Sequence, residues 1–97
     1  MIVGVLRLSL RLPDCDSLKE KRSVIGTLSS ALRSKLGVAV AEVDHQDLHR
    51  RATLGVAAVA DGTYHVRRVL QSVERRAECH PGVEVLDTQV ELFSPEE

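Results

Sequence analysis

The chain has 97 residues, 43% of them hydrophobic, with 13 Lys and Arg against 14 Asp and Glu and a formal net charge of -1. That length fills one two-layer domain, residues 1–97, and not two, and the near-neutral balance excludes the strongly basic signature of a polyanion binder, so any nucleic-acid contact must come from where charges are placed. The longest apolar stretches, residues 2–12 and 54–60, fall short of the roughly 20 residues that a spanning helix needs, and the N-terminus lacks the pattern of a signal peptide, so no membrane and a cytoplasmic location are expected.

Ile2, Gly4, Leu6, Leu8, Leu10 and Leu12 alternate with Val3, Val5, Arg7, Ser9 and Arg11, a period of two that predicts a strand with its even positions inward. Pro13 and Asp14 end it. Ser17, three residues before Glu20, makes a capping box for a helix from Leu18 to Leu36. Its inward positions are Leu18, Ile25, Leu28, Leu32 and Leu36, with Gly37 as a left-handed cap. Val38 to Asp44 and Ala52 to Ala60 read as strands, joined through the polar segment His45-Gln46-Asp47-Leu48-His49. Asp61-Gly62 leads into a second helix, Thr63 to Glu78, inward at Val66, Val69, Leu70, Val73 and Ala77. After the Pro81-Gly82 break, Val83 to Phe93 reads as the last strand, with Leu86, Val90 and Leu92 on one side, before a short acidic tail.

The order strand, helix, strand, strand, helix, strand predicts an α+β, ferredoxin-like βαββαβ arrangement: a four-stranded antiparallel sheet with two helices on one face. The open face would then carry Val5, Arg7, Ser9, Thr53, Gly55, Ala57 and Val59. RNA-recognition modules of this topology stack bases on aromatic side chains there, but Tyr64 and Phe93 are the only aromatics in the sequence. A face of small and apolar residues, with Gly55, Ala57 and Val59 at its centre, instead suits burial by a second sheet, from another copy or from a partner protein.

Asp16-Ser17-Leu18-Lys19-Glu20-Lys21-Arg22-Ser23, the hairpin Ala41-Glu42-Val43-Asp44-His45-Gln46-Asp47-Leu48, and Arg51-Ala52-Thr53-Leu54-Gly55-Val56-Ala57 together resemble the YlxP-like family, a bacterial group of small proteins of unknown function. The resemblance runs over essentially the whole chain. It implies a ferredoxin-like fold, a gene neighbourhood shared with translation factors, and a role in ribosome maturation or RNA binding, and it supplies no catalytic residues. One position departs from the pattern: relatives commonly carry an aromatic, usually Trp, after the Asp-Leu pair, and here it is His49, which would stack more weakly and with pH dependence.

Within the first helix, Lys19, Arg22, Gly26, Ser30 and Arg33 recur at three- and four-residue steps along one stripe. Cations at its ends and small residues between would let a phosphate backbone approach without base-specific contacts; the same stripe also suits an ordinary solvated helix face. Lys19, Lys21 and Arg22 lie near the positive end of the helix dipole, where cations cost some tenths of a kcal/mol each. Arg50 and Arg51 beside His49 extend a basic corner, unless Arg51 pairs with Glu42 across the hairpin.

Asp44, His45, Asp47 and His49 are metal-ligand types, but polar turn chemistry explains them as well, and no metal or cofactor is expected. Arg7 and Arg11 should pair across strands with Asp87, Gln89 and Glu91, and Arg67, Arg68, Arg75 and Arg76 with Glu74 and Glu78 along the second helix. Cys15 and Cys79 share no metal or redox spacing, and Cys79-His80 has no partner that would make it a nucleophile.

The sequence thus favours a non-enzymatic RNA- or ribosome-associated protein, acting in small-subunit maturation or translation and forming a homodimer. Lys19, Lys21, Arg22, Arg33, Arg50 and Arg51 would contact phosphate, and His45, Asp47 and His49 would add hairpin contacts to ribosomal RNA or a ribosomal subunit. The alternative is a protein-interaction module working through the open sheet face.

Overall fold

The computed structural model describes residues 1–95. Its elements run β1 (Ile2–Arg11), α1 (Leu18–Leu36), β2 (Ala39–Asp44), β3 (Arg51–Ala60), α2 (Thr63–Glu78) and β4 (Glu84–Phe93). The strands form one antiparallel sheet in the order β2-β3-β1-β4, which is the expected ferredoxin-like fold. The last two residues of the acidic tail lie outside the described residues.

Alternation in β1 does what its period of two requires. Leu6, Leu8, Leu10 and Leu12 are buried and face Val56, Leu54 and Ala52 of β3 and the helix residues Leu28, Leu32, Val66, Leu70 and Val73 in one core. Burying a leucine of this size contributes about 1.5–3 kcal/mol, so this stripe is the main attachment of helices to sheet. At Gly4 the approach is closest: a Cβ there would stand 2.8 Å from Val66 Cγ2 and 2.9 Å from Leu70 Cδ1. Only glycine lets α2 settle at that height.

Helix α1 starts and stops where its capping residues dictate. Ser17 Oγ accepts from the Glu20 amide at 3.1 Å, and Glu20 Oε1 reaches back to the Asp16 amide at 2.6 Å, one residue before the expected cap. Gly37, at φ 65, donates its amide to the Arg33 carbonyl and ends the helix in the left-handed region, where a Cβ would be strained. The buried side of α1 differs from the expected one. Leu18 and Leu36 are half-buried, while Lys21 and Ser29 join Ile25, Leu28 and Leu32 inside.

Two irregularities displace side chains from the faces that simple alternation assigns. The pairing of β4 with β1 slips between Ser9 and Leu10, so that Val85 takes the place opposite Leu10 and packs on the core. Leu86 is left outside and exposed, because the extra residue of a bulge has no place of its own in the ladder. The pairing of β2 with β3 slips in the same way between Glu42 and Asp44. Val43, the residue left over, lies across Gly55, where its Cγ1 would stand 3.0 Å from a Cβ.

Candidate functional site

Lys21 is the first of the expected phosphate contacts to be placed, and it is not on the surface. Its side chain is 1% exposed, and its ammonium donates to Glu42 Oε2 at 2.7 Å and to the carbonyls of His45 at 2.9 Å, Arg51 at 3.2 Å and Gln46 at 3.4 Å. A buried ammonium is tolerated only when paired and hydrogen-bonded, and the turn after β2 supplies both. His45 sits at φ 62, a left-handed conformation uncommon for a residue with a Cβ. The lysine therefore ties α1 to the β2–β3 hairpin and has nothing left for phosphate. Its spacing carried a signal that reading it as a charge obscured: 21, 25, 28 and 32 are steps of four, three and four, the core stripe of the helix.

The remaining expected cations divide. Lys19 and Arg22 are exposed and make no ion pair or side-chain hydrogen bond among the described residues. Arg33 donates to the Val40 carbonyl at 2.7 Å, covering an open carbonyl on the edge strand β2. Arg50 donates to the Cys15 carbonyl and to Asp16, pinning the loop before α1. Arg51 does not pair with Glu42, which Lys21 holds; the Arg51 Nε is buried without a hydrogen-bond partner. The basic corner is thus largely committed to holding the hairpin in place.

Helix α2 supplies cations that do not form the surface pairs expected of their spacing. Arg67, Arg75 and Arg76 are exposed without an ion-pair partner among the described residues, and Arg68 lies over the Tyr64 ring, 5.7 Å from its centroid. Glu74 and Glu78 pair with none of them. Together α1 and α2 hold nine of the 13 Lys and Arg but three of the 14 Asp and Glu, leaving four cations and eleven acids for the rest of the chain. A chain with no overall excess is therefore basic on its helix layer and acidic elsewhere. The loop after α2 returns to α1, with Gly82 beside Val24, so the Arg75-Arg76 end of α2 shares an end of the molecule with the start of α1.

The hairpin residues do not gather. His45 Nδ1 is 2.8 Å from Thr53 Oγ1 and roofs that threonine, which is 0% exposed rather than open as expected. Asp47 and His49 are exposed on the turn, and no three His, Cys, Asp or Glu side chains converge among the described residues. Cys15 is buried; desolvation pushes its thiol up, and the carboxylates of Glu20, Asp14 and Asp16 add to the effect against Arg50. It stays protonated and inert.

The open sheet face has two halves, read from the register. Toward one end, Val59, Val3 and Phe93 lie in a row, followed by Ala39, Ala57, Val5 and Glu91. Toward the other end come Arg7 with Gln89, then Asp44 and Asp87 flanking Thr53 and Ser9, then Arg11 with Glu84. Arg7 reaches across β3 to Asp44 at 3.3 Å rather than to β4, while Arg11 takes Glu84 at 3.3 Å. Between the halves lies a groove of about 750 Å³ floored by Val5, Gly55 and Ala57. Of the expected interface residues, Val59 is 66% exposed, Ala57 is half-buried, and Gly55 is half-buried under Val43.

Comparison with known proteins matches these features to relatives. A family model described as a protein of unknown function (DUF503) matches residues 3–90. The uncharacterized protein YlxP of Bacillus subtilis (strain 168) is 29% identical over 92 residues, 95% of this chain and 100% of that protein. Among solved structures, acylphosphatase from Bacillus subtilis superposes with a TM-score of 0.56 at 16% identity, over 100% of this chain and 90% of that one. A C-terminal segment of the alpha subunit of aIF2 from Pyrococcus abyssi gives 0.52 at 11% identity, over 97% of this chain and 52% of that one. Identities this low speak for the fold alone.

Proposed function

The chain belongs to the DUF503 family, and we propose that it is a non-enzymatic protein that binds RNA through phosphate contacts from its helix layer. A fold shared with acylphosphatase does not decide between enzyme and binder; the surface charge is what supports the reading. One observation carries it: among the described residues the exposed cations Lys19, Arg22, Lys35, Arg67, Arg75 and Arg76 have no ion-pair partner, whereas three of the four arginines on strands and loops, Arg7, Arg11 and Arg50, are each paired with a carboxylate. Unneutralised cations on one layer attract a polyanion and release its counterions. The gene neighbourhood implied by the YlxP-like resemblance makes ribosomal RNA, in small-subunit maturation or translation, the first ligand to try.

With Phe93, at the β4 rim, the one aromatic side chain on the open face among the described residues, binding would be to backbone rather than to bases. The test is co-sedimentation of the full chain with ribosomal particles, together with the anisotropy of a labelled single-stranded RNA over a salt series. The expected result is binding that weakens steeply with salt, is lost in Lys19→Glu with Arg22→Glu, and is weakened but still measurable in Arg75→Glu with Arg76→Glu. Undiminished binding in both double variants would remove the helix layer as the site.

A further inference from the structure

We infer that the open sheet face is closed by a second copy of the same chain, sheet against sheet, leaving the two basic helix layers on opposite outer surfaces. Three observations select this occupant, and none depends on RNA binding.

The first is shape. The face carries both a hollow and the projections to fill one: the groove of about 750 Å³ is floored by Gly55, Ala57 and Val5, and beside it Val59 and Phe93 stand 66% and 48% exposed. A two-fold axis lying between the sheets lets the projections of each copy enter the hollow of the other, as an isologous contact requires. Sheets packed this way sit about 10 Å apart with side chains interdigitated.

The second is charge. Among the described residues the apolar half of the face holds a single ionisable group, Glu91, at its β4 rim, and in the polar half Arg7 and Arg11 are neutralised by Asp44 and Glu84, which leaves Asp87 on β4 and the half-buried Arg51 on β3. Such a face does not attract a polyanion, and its small net charge makes it repel a second copy only weakly. The helix layers, with nine cations each against three acids, would repel if two copies met there. Self-association through the sheet is thus the electrostatically open route.

The third is area. Three ten-residue strands about 33 Å long and the six-residue β2, about 20 Å long, at about 4.8 Å spacing present roughly 570 Å² per copy. Two such faces bury roughly 1,100 Å², at the low end of specific interfaces. The dimer should therefore be specific but concentration-dependent.

Sedimentation equilibrium of the full chain tests this. The 10.7 kDa chain is expected to approach twice its mass as concentration rises, and Ala57→Arg, which fills the hollow with a long charged side chain, should weaken association about a hundredfold. Far-UV circular dichroism shows whether that variant folds, and Val59→Arg, at a more exposed position, repeats the test if it does not. Arg75→Glu with Arg76→Glu should leave the mass unchanged, which separates this outcome from RNA binding. A monomeric mass at every concentration up to the solubility limit, or a dimer undisturbed in a folded Ala57→Arg or Val59→Arg variant, would overturn the inference.

Discussion

The two sides of this domain spend their cations differently. On the sheet and its loops, Arg7, Arg11 and Arg50 each meet a carboxylate within 3.3 Å. On the helices, among the described residues, Lys21 is the cation that does so, at 2.7 Å from Glu42, while its neighbours Lys19 and Arg22 point to solvent. Residues of the same charge within one helical turn thus divide into a structural fastener and a free surface. What separates them is angle around the helix: Lys21 shares the stripe of Ile25, Leu28 and Leu32, and charge alone is no guide to role.

The sharpest way to break this division is Lys21→Met. It leaves Glu42 and three carbonyls without their donor, and removing one partner of a buried pair costs about 3 kcal/mol or more. Urea denaturation should show a clearly lower midpoint; a midpoint near wild type would mean the ammonium is not a fastener. Next in size is Gly4→Ala, which places a methyl within 3 Å of both Val66 and Leu70. Overpacking of this kind costs about 1–3 kcal/mol, read as a lower thermal midpoint, and an unchanged melt would show that α2 can lift off the sheet freely. Smallest is Lys19→Ala, expected to change stability by less than about 0.5 kcal/mol because no partner is lost. A large loss there would erase the contrast with Lys21.

Much of the fold was legible because local signals agreed with one another. The bounds of α1 follow from Ser17, Glu20 and Gly37, and β1 follows from its strict alternation. Leu86 and Val43 were not legible, since a bulge is settled by pairing between strands and leaves no mark on the period of either one. The candidate site was only half legible. Lys19 and Arg22 are exposed as their stripe implied, but the commitments of Lys21, Arg33 and Arg50 depend on backbone carbonyls that folding brings from distant segments: the β2–β3 hairpin, Val40 and Cys15. The cations of α2 were visible and given the wrong partners. Spacing placed Glu74 and Glu78 within reach, and the folded side chains do not take up those pairs.

The central claim, that the helix layer and not the sheet side meets phosphate, is tested most directly by the salt dependence of RNA affinity in paired variants. Each phosphate contact contributes about 0.7 to the log–log slope for single strands. Arg75→Glu with Arg76→Glu should therefore flatten the slope by about 1 to 1.5, while Arg7→Glu with Arg11→Glu leaves it where it was. A wild-type affinity indifferent to salt, or a slope flattened equally by the sheet-side pair, would mean that phosphate is met elsewhere or not at all.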